Sequence, residues 1–131
     1  MTYTIRTDAS YEGVEVPMTE IFFVGLHQDY EWDEGRLFRH DETGLYAFIH
    51  ESGCSCNSYL SWLDDEEHVA RFVRELDWTP LDQQISRVIE YINSDETRCE
   101  TNGPAWRAEH VATFHVVLMA ERKREASRGS E

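Results

Sequence analysis

The spacing of apolar and polar positions changes character at the turn "SGCSCN" (52–57). Before it, apolar residues come in short runs. "TEIFFVGL" (19–26) is mostly apolar and rich in strand formers, which predicts a buried strand. "RLFRH" (36–40) and "LYAFIHE" (45–51) are two further β-like runs. Asp41-Glu42-Thr43-Gly44 joins them as a hairpin connection, with glycine where a positive φ is needed. "HQDYEWDEG" (27–35) interrupts with acids and ends on Gly35, which reads as a loop. The first 17 residues are polar, poorly periodic and closed by Pro17, the pattern of an arm or an edge strand.

After the turn the period becomes helical. In "DDEEHVARFVREL" the residues Val69, Phe72, Val73 and Leu76 fall on one helical face. Asp64 is expected to cap this helix, with Glu67 completing a capping box. Thr79 and Pro80 predict the start of a second helix, with Leu81, Ile85, Val88, Ile89 and Ile92 as its buried stripe. Trp62 and Trp78 flank the first helix and are placed to staple its ends. Asn93–Gly103 is a polar connector containing Cys99. Pro104 opens a third segment in which Trp106, Val111, Phe114 and Leu118 suit a helix, while "TFHVVLM" suits a strand equally well. The tail 122–131 is expected to fray. The pattern predicts one α+β domain over 1–131, a small antiparallel sheet of about three strands in meander order packed against two or three C-terminal helices.

Charge adds a direction. The 131 residues carry 26 acids and 12 bases, a net −14. Residues 1–100 hold 22 acids against 7 bases, and residues 101–131 hold 4 against 5. A surface of this sign repels phosphate backbones, so direct nucleic-acid binding is not expected, whereas basic protein surfaces are attracted. Acids near the start of a helix, as in "DDEE" (64–67), are also what capping and the helix dipole favour. No run reaches the roughly 18 apolar residues of a membrane span. The N-terminus lacks the pattern of a secretory signal, so the expected compartment is the cytoplasm, with cysteines present as thiols or ligands.

The turn is the one stretch that invites chemistry. Zinc needs four ligands, and Cys54, Cys56, Cys99 and His50 (or His40) are the available set, although a second paired-ligand unit is lacking. A reactive thiol at this turn is disfavoured by the surrounding acids, which oppose thiolate. Gly53-Cys54-Ser55-Cys56-Asn57 is one residue from a nucleophile elbow, but the chain is too short for the large sheet that such an elbow serves. A compact turn in which Cys54 and Cys56 act as small apolar side chains explains the same residues. His110 and His115 are five apart and do not share a helical face as a ligand pair would.

Through Gly53-Cys54-Ser55-Cys56 and the preceding "YAFIHES", residues 19–63 resemble a family of small proteins encoded by bacteriophages of actinobacteria. This chain departs from the family at Asn57-Ser58-Tyr59-Leu60, where the family carries a proline and an acidic-aromatic element. The resemblance implies a viral origin and an accessory role, with no activity to carry over. Eleven of the twelve bases are arginine, in keeping with a GC-rich genome.

The expectation is a non-enzymatic acidic module, without cofactor, that binds a basic surface of a host protein, for which a nucleic-acid-handling enzyme, polymerase or defence factor is suited. Its partner surface is expected at Asp29, Tyr30, Glu31, Trp32, Asp33 and Glu34, where aromatics sit among acids. The alternatives are a small metalloprotein or enzyme centred on the cysteine turn, and a virion or assembly protein that docks on a viral subunit or on its own copies.

Overall fold

The computed structural model describes residues 3–7, 10–28, 30–54, 58–94 and 104–129. The fold is α+β, and the described residues form five strands and then three helices: β1 Tyr3–Thr7, β2 Ser10–Val16, β3 Met18–Gln28, β4 Glu31–His40, β5 Tyr46–Cys54, α1 Glu66–Glu75, α2 Leu81–Asn93 and α3 Pro104–Gly129. β3, β4 and β5 form the expected antiparallel meander. β1 and β2 pair with each other as a separate two-stranded sheet, so the N-terminal arm or edge strand is in fact a hairpin. Buried Ile5 and Val16 anchor it, with half-buried Tyr3 and Val14 packed beside them, and so few apolar positions in so polar a segment leave little pattern to read.

The central sheet is covered on both sides, which explains why "TEIFFVGL" alternates so weakly. On the helix side, Phe22, Val24, Leu37 and Tyr46 pack against Leu81, Val88, Tyr91 and Ile92 of α2 and Phe114 and Leu118 of α3. On the hairpin side, Met18, Phe38 and Ile49 pack against Ile5, Val16, Leu60, Leu63 and α1 residues Val69 and Val73. A bulge between Glu20 and Phe22 shifts the β3–β4 register by one residue, setting Phe22 on the helix side and Phe23 on the hairpin side. Gly44 holds the positive φ of 73° that the β4–β5 turn needs.

Several boundaries differ from expectation. Most of 27–35 is not a loop: β3 reaches Gln28 and β4 starts at Glu31, paired in register with His27 opposite Trp32 and Gln28 opposite Glu31. Cross-strand pairing and the burial of Trp32 outweigh the acidic composition of this stretch. Asp65, not Asp64, caps α1, its carboxylate accepting from the His68 amide at 2.8 Å. Thr79 does not cap α2. It bridges to Tyr46 through two backbone hydrogen bonds (2.7 and 2.9 Å), and the helix starts at Leu81 behind Pro80. Gln84 completes this seal of the sheet edge. It is fully buried, donates to Tyr46 O and Thr79 Oγ1, and accepts from the Phe48 amide. The third segment is helical throughout, "TFHVVLM" included, and α3 continues to Gly129 through most of the tail expected to fray. Its far half is fastened by Glu121, which accepts two hydrogen bonds from Arg39 (2.8 and 2.9 Å) and one from the Tyr46 hydroxyl (3.0 Å). No described helix is long and apolar enough to cross a membrane.

Candidate functional site

Strand alternation divides the acidic stretch expected to form one surface. Tyr30 stands at the hairpin tip, 77% exposed, and Glu31 beside it is exposed. Trp32 turns inward: it is buried, its indole donates to Cys54 O at 3.0 Å, and its ring meets Tyr59 edge-on. Glu34, on the same face, is buried too. Asp33 faces the helix side, where it accepts hydrogen bonds from the Tyr91 hydroxyl and from His50 Nε2 (2.9 Å). An ionised Asp33 has no proton to donate, so Nε2 carries the imidazole proton. Burial and this carboxylate push the Tyr91 hydroxyl's pKa well above the usual phenol range, so it stays a donor. The Asp33–His50–Tyr91 cluster thus latches the distal end of the sheet to α2. Asp29 lies outside the described residues. Trp32 and Glu34 are therefore removed from the expected partner surface, and Asp33 is committed to the latch.

The cysteine set is likewise not assembled as expected. Cys54 is disulfide-bonded, so it presents no thiolate for a metal, and the expectation of thiols or ligands gives way at this residue. Cys56 and Cys99 lie outside the described residues, and His50 is held by Asp33. Among the described residues, no three His, Cys, Asp or Glu side chains gather where they would hold a metal ion.

The hairpin side carries a different concentration of charge. Arg36 lies beneath it, its Cζ 4.9 Å from the Phe23 ring centroid and 4.4 Å from that of Tyr59. Its guanidinium donates to Glu20 at 2.8 Å, to both Glu34 oxygens at 3.4 Å and to the Tyr3 hydroxyl at 3.3 Å. Glu34 sits directly opposite Glu51 in the β4–β5 register. Glu51 accepts from the Leu60 amide and from the Trp62 indole (3.2 Å). Burial raises the Glu51 pKa, the bonds from Trp62 and Leu60 oppose that shift, and the Glu34 charge adds to it. Leu60 adopts a φ of 60°, uncommon for leucine; its burial and the bond to Glu51 hold it there. That backbone twist sets Trp62, 52% exposed, against His68 and Phe72 of α1. Trp78 fixes the other end of α1 by donating to Val73 O at 2.7 Å, so both tryptophans staple the helix.

The result is a surface formed by Glu20, Phe23 (43% exposed), Trp62 and the cleft lined by Asp64, Asp65, Glu67, His68 and Arg71, with half-buried Glu51 accepting from Trp62. Its carboxylates outnumber its arginines, and Arg36 is already engaged. Two exposed aromatic rings among carboxylates make a surface able to hold arginine or lysine side chains, the rings covering the aliphatic stem while the acids meet the charge. Sequence reading missed Glu20, Phe23, Glu51 and Trp62 as a group, and the adjacent pair Phe22-Phe23 was the available signal, since neighbours in a strand point to opposite faces. Comparison with protein-family models, curated proteins and solved structures returns no match, so this surface is read from its own residues.

Proposed function

We propose that this chain is a non-enzymatic interaction module that holds a basic surface of another protein against Phe23, Trp62 and the surrounding carboxylates of Glu20, Glu51, Asp64, Asp65 and Glu67. The resemblance at the cysteine turn supports a phage accessory protein as the context and a host protein as the target. The observation that carries this reading is the exposure of Phe23 and Trp62 on a strongly acidic surface. Buried aromatic anchors commonly dominate binding energy, and charge complementarity speeds encounter and selects the partner. Arg36, lodged between Phe23 and Tyr59 with two carboxylates on its nitrogens, is an intramolecular example of the contact a partner's arginine would make.

The test compares capture from an actinobacterial lysate by the wild-type chain and by a chain carrying Glu20→Lys, Asp64→Lys and Glu67→Lys, at low and high salt. A stoichiometric basic protein, released by salt and absent with the variant, is expected. Capture of the same protein by both chains would remove this surface from the interaction.

A further inference from the structure

The outer face of α3 has no partner within the described structure. Ala105, Glu109, Ala112, Val116, Met119 and Lys123 are all exposed and recur at alternating steps of four and three. That spacing is the seam of a coiled coil. It lies opposite the stripe that docks on the sheet through Phe114, Leu118 and Glu121. Val116 and Met119, at the middle of the seam, are 65% and 60% exposed, among the largest apolar exposures of the described residues. The seam spans 18 residues between Ala105 and Lys123, about 27 Å at 1.5 Å per residue.

We infer that this seam pairs antiparallel with the same seam of a second copy of the chain. Three observations select that occupant. First, the seam is self-complementary under a two-fold axis: Ala112 of one copy meets Val116 of the other, and Glu109 meets Met119, so each large residue faces a smaller or flexible one. Second, charge fixes the direction. Glu109 lies toward one end and Lys123 toward the other, so antiparallel packing sets Lys123 of one copy four residues, about 6 Å along the axis, from Glu109 of the other, whereas parallel packing sets like against like. Third, α3 is not part of the acidic excess. Within it Arg107, Arg122, Lys123, Arg124 and Arg128 outnumber Glu109, Glu121 and Glu125, and Glu121 is neutralised by Arg39. Two copies of a chain with net charge −14 meet least repulsion along this helix. Alanine at 105, 108, 112 and 120 also permits close approach of the helices.

Sedimentation equilibrium of the full chain over a wide concentration range tests the inference. A reversible monomer–dimer equilibrium is expected. Val116→Glu with Met119→Glu should weaken it about tenfold or more while leaving the helical circular dichroism unchanged. Glu109→Lys alone should also weaken association, and adding Lys123→Glu should restore it, because the reversed pair again joins opposite charges only in the antiparallel arrangement. Three outcomes would overturn the inference: a wild-type chain monomeric at every concentration, a dimer that persists with glutamate at 116 and 119, or a double reversal that restores nothing. If the glutamate pair unfolds the chain, the charge-reversal series, which alters only exposed polar positions, decides.

Discussion

Phe22 and Phe23 follow one another in β3 and meet different fates. Phe22 is sealed on the helix side, its ring centroid 5.0 Å from that of Phe114. Phe23 lies on the hairpin side with nearly half its surface open, resting on Arg36. The charges on the two faces differ in the same way. On the helix side Arg39 and Glu121 close over the core and fasten α3, with Tyr46 satisfying a further lone pair. On the hairpin side Glu20 and Glu34 share Arg36, Glu51 takes its hydrogen bonds from Leu60 and Trp62, and Asp64, Asp65 and Glu67 at the start of α1 outnumber Arg71 in the same cleft. One face uses charge to complete the fold; the other leaves unmatched charge and aromatic surface facing solvent.

The sharpest way to break this comparison is to truncate the two neighbours separately. Phe22→Ala should cost about 3–5 kcal/mol of unfolding free energy, as for other buried phenylalanines. Phe23→Ala should cost under about 1 kcal/mol, the size of an exposed cation–π contact. Urea denaturation of both variants measures the difference, and equal losses would mean that the hairpin side is as sealed as the helix side. Arg39→Ala should also be severe, about 3–5 kcal/mol, because it leaves the Glu121 carboxylate buried without its cation. Replacing both residues, as Arg39→Met with Glu121→Leu, should recover most of that loss in the same assay. If the double variant is as unstable as the single, the ion pair is not what fastens α3.

Gly35→Ala probes the helix side at a smaller scale. A Cβ there would come within 2.4 Å of the Phe48 ring and 3.0 Å of Tyr91, so about 1–3 kcal/mol of overpacking is expected. A lowered thermal midpoint would register it, and an unchanged one would mean that Phe48 moves aside freely.

The smallest effect concerns Glu51. Its folded-state pKa is raised, chiefly by burial, so the folded state holds the proton more tightly than the unfolded chain does. Stability therefore falls as pH rises from the ordinary carboxyl range through the raised value, with no penalty below that window. Glu51→Gln should flatten the stability profile there and leave the protein more stable at neutral pH by less than about 1 kcal/mol. Denaturation at a series of pH values tests this, and an unaltered slope would mean that Glu51 does not titrate as its burial implies.

Much of the architecture was legible because it is local. Runs of β-branched and aromatic residues marked the three meander strands, Gly44 marked their second turn, and Val69, Phe72, Val73 and Leu76 marked α1. The N-terminal hairpin was obscured because its described core contacts, Ile5 and Val16 with half-buried Tyr3 and Val14, are few and spread among polar residues. The conformation of α3 was ambiguous because exposed Val116 and Met119 blur its apolar stripe. The candidate surface was not legible at all as a unit. Strand register brings positions 20, 23 and 51 to one side, the segment before α1 adds position 62, and a one-residue bulge at Ile21 decides which phenylalanine faces it. Of the acidic cluster visible in sequence, residues 31–34 open a strand whose alternation sends them to opposite faces.

The measurement that bears most directly on the central claim is calorimetric titration of a short basic peptide of alternating arginine and leucine. It would be run into the wild-type chain and into a chain carrying Phe23→Ala and Trp62→Ala, which leave the net charge untouched. A saturable site that weakens about tenfold or more in the double variant, with its circular dichroism showing the fold retained, is the predicted result. Equal affinity for both chains would contradict the account, because charge alone, without the aromatic surface, would then explain all of the binding.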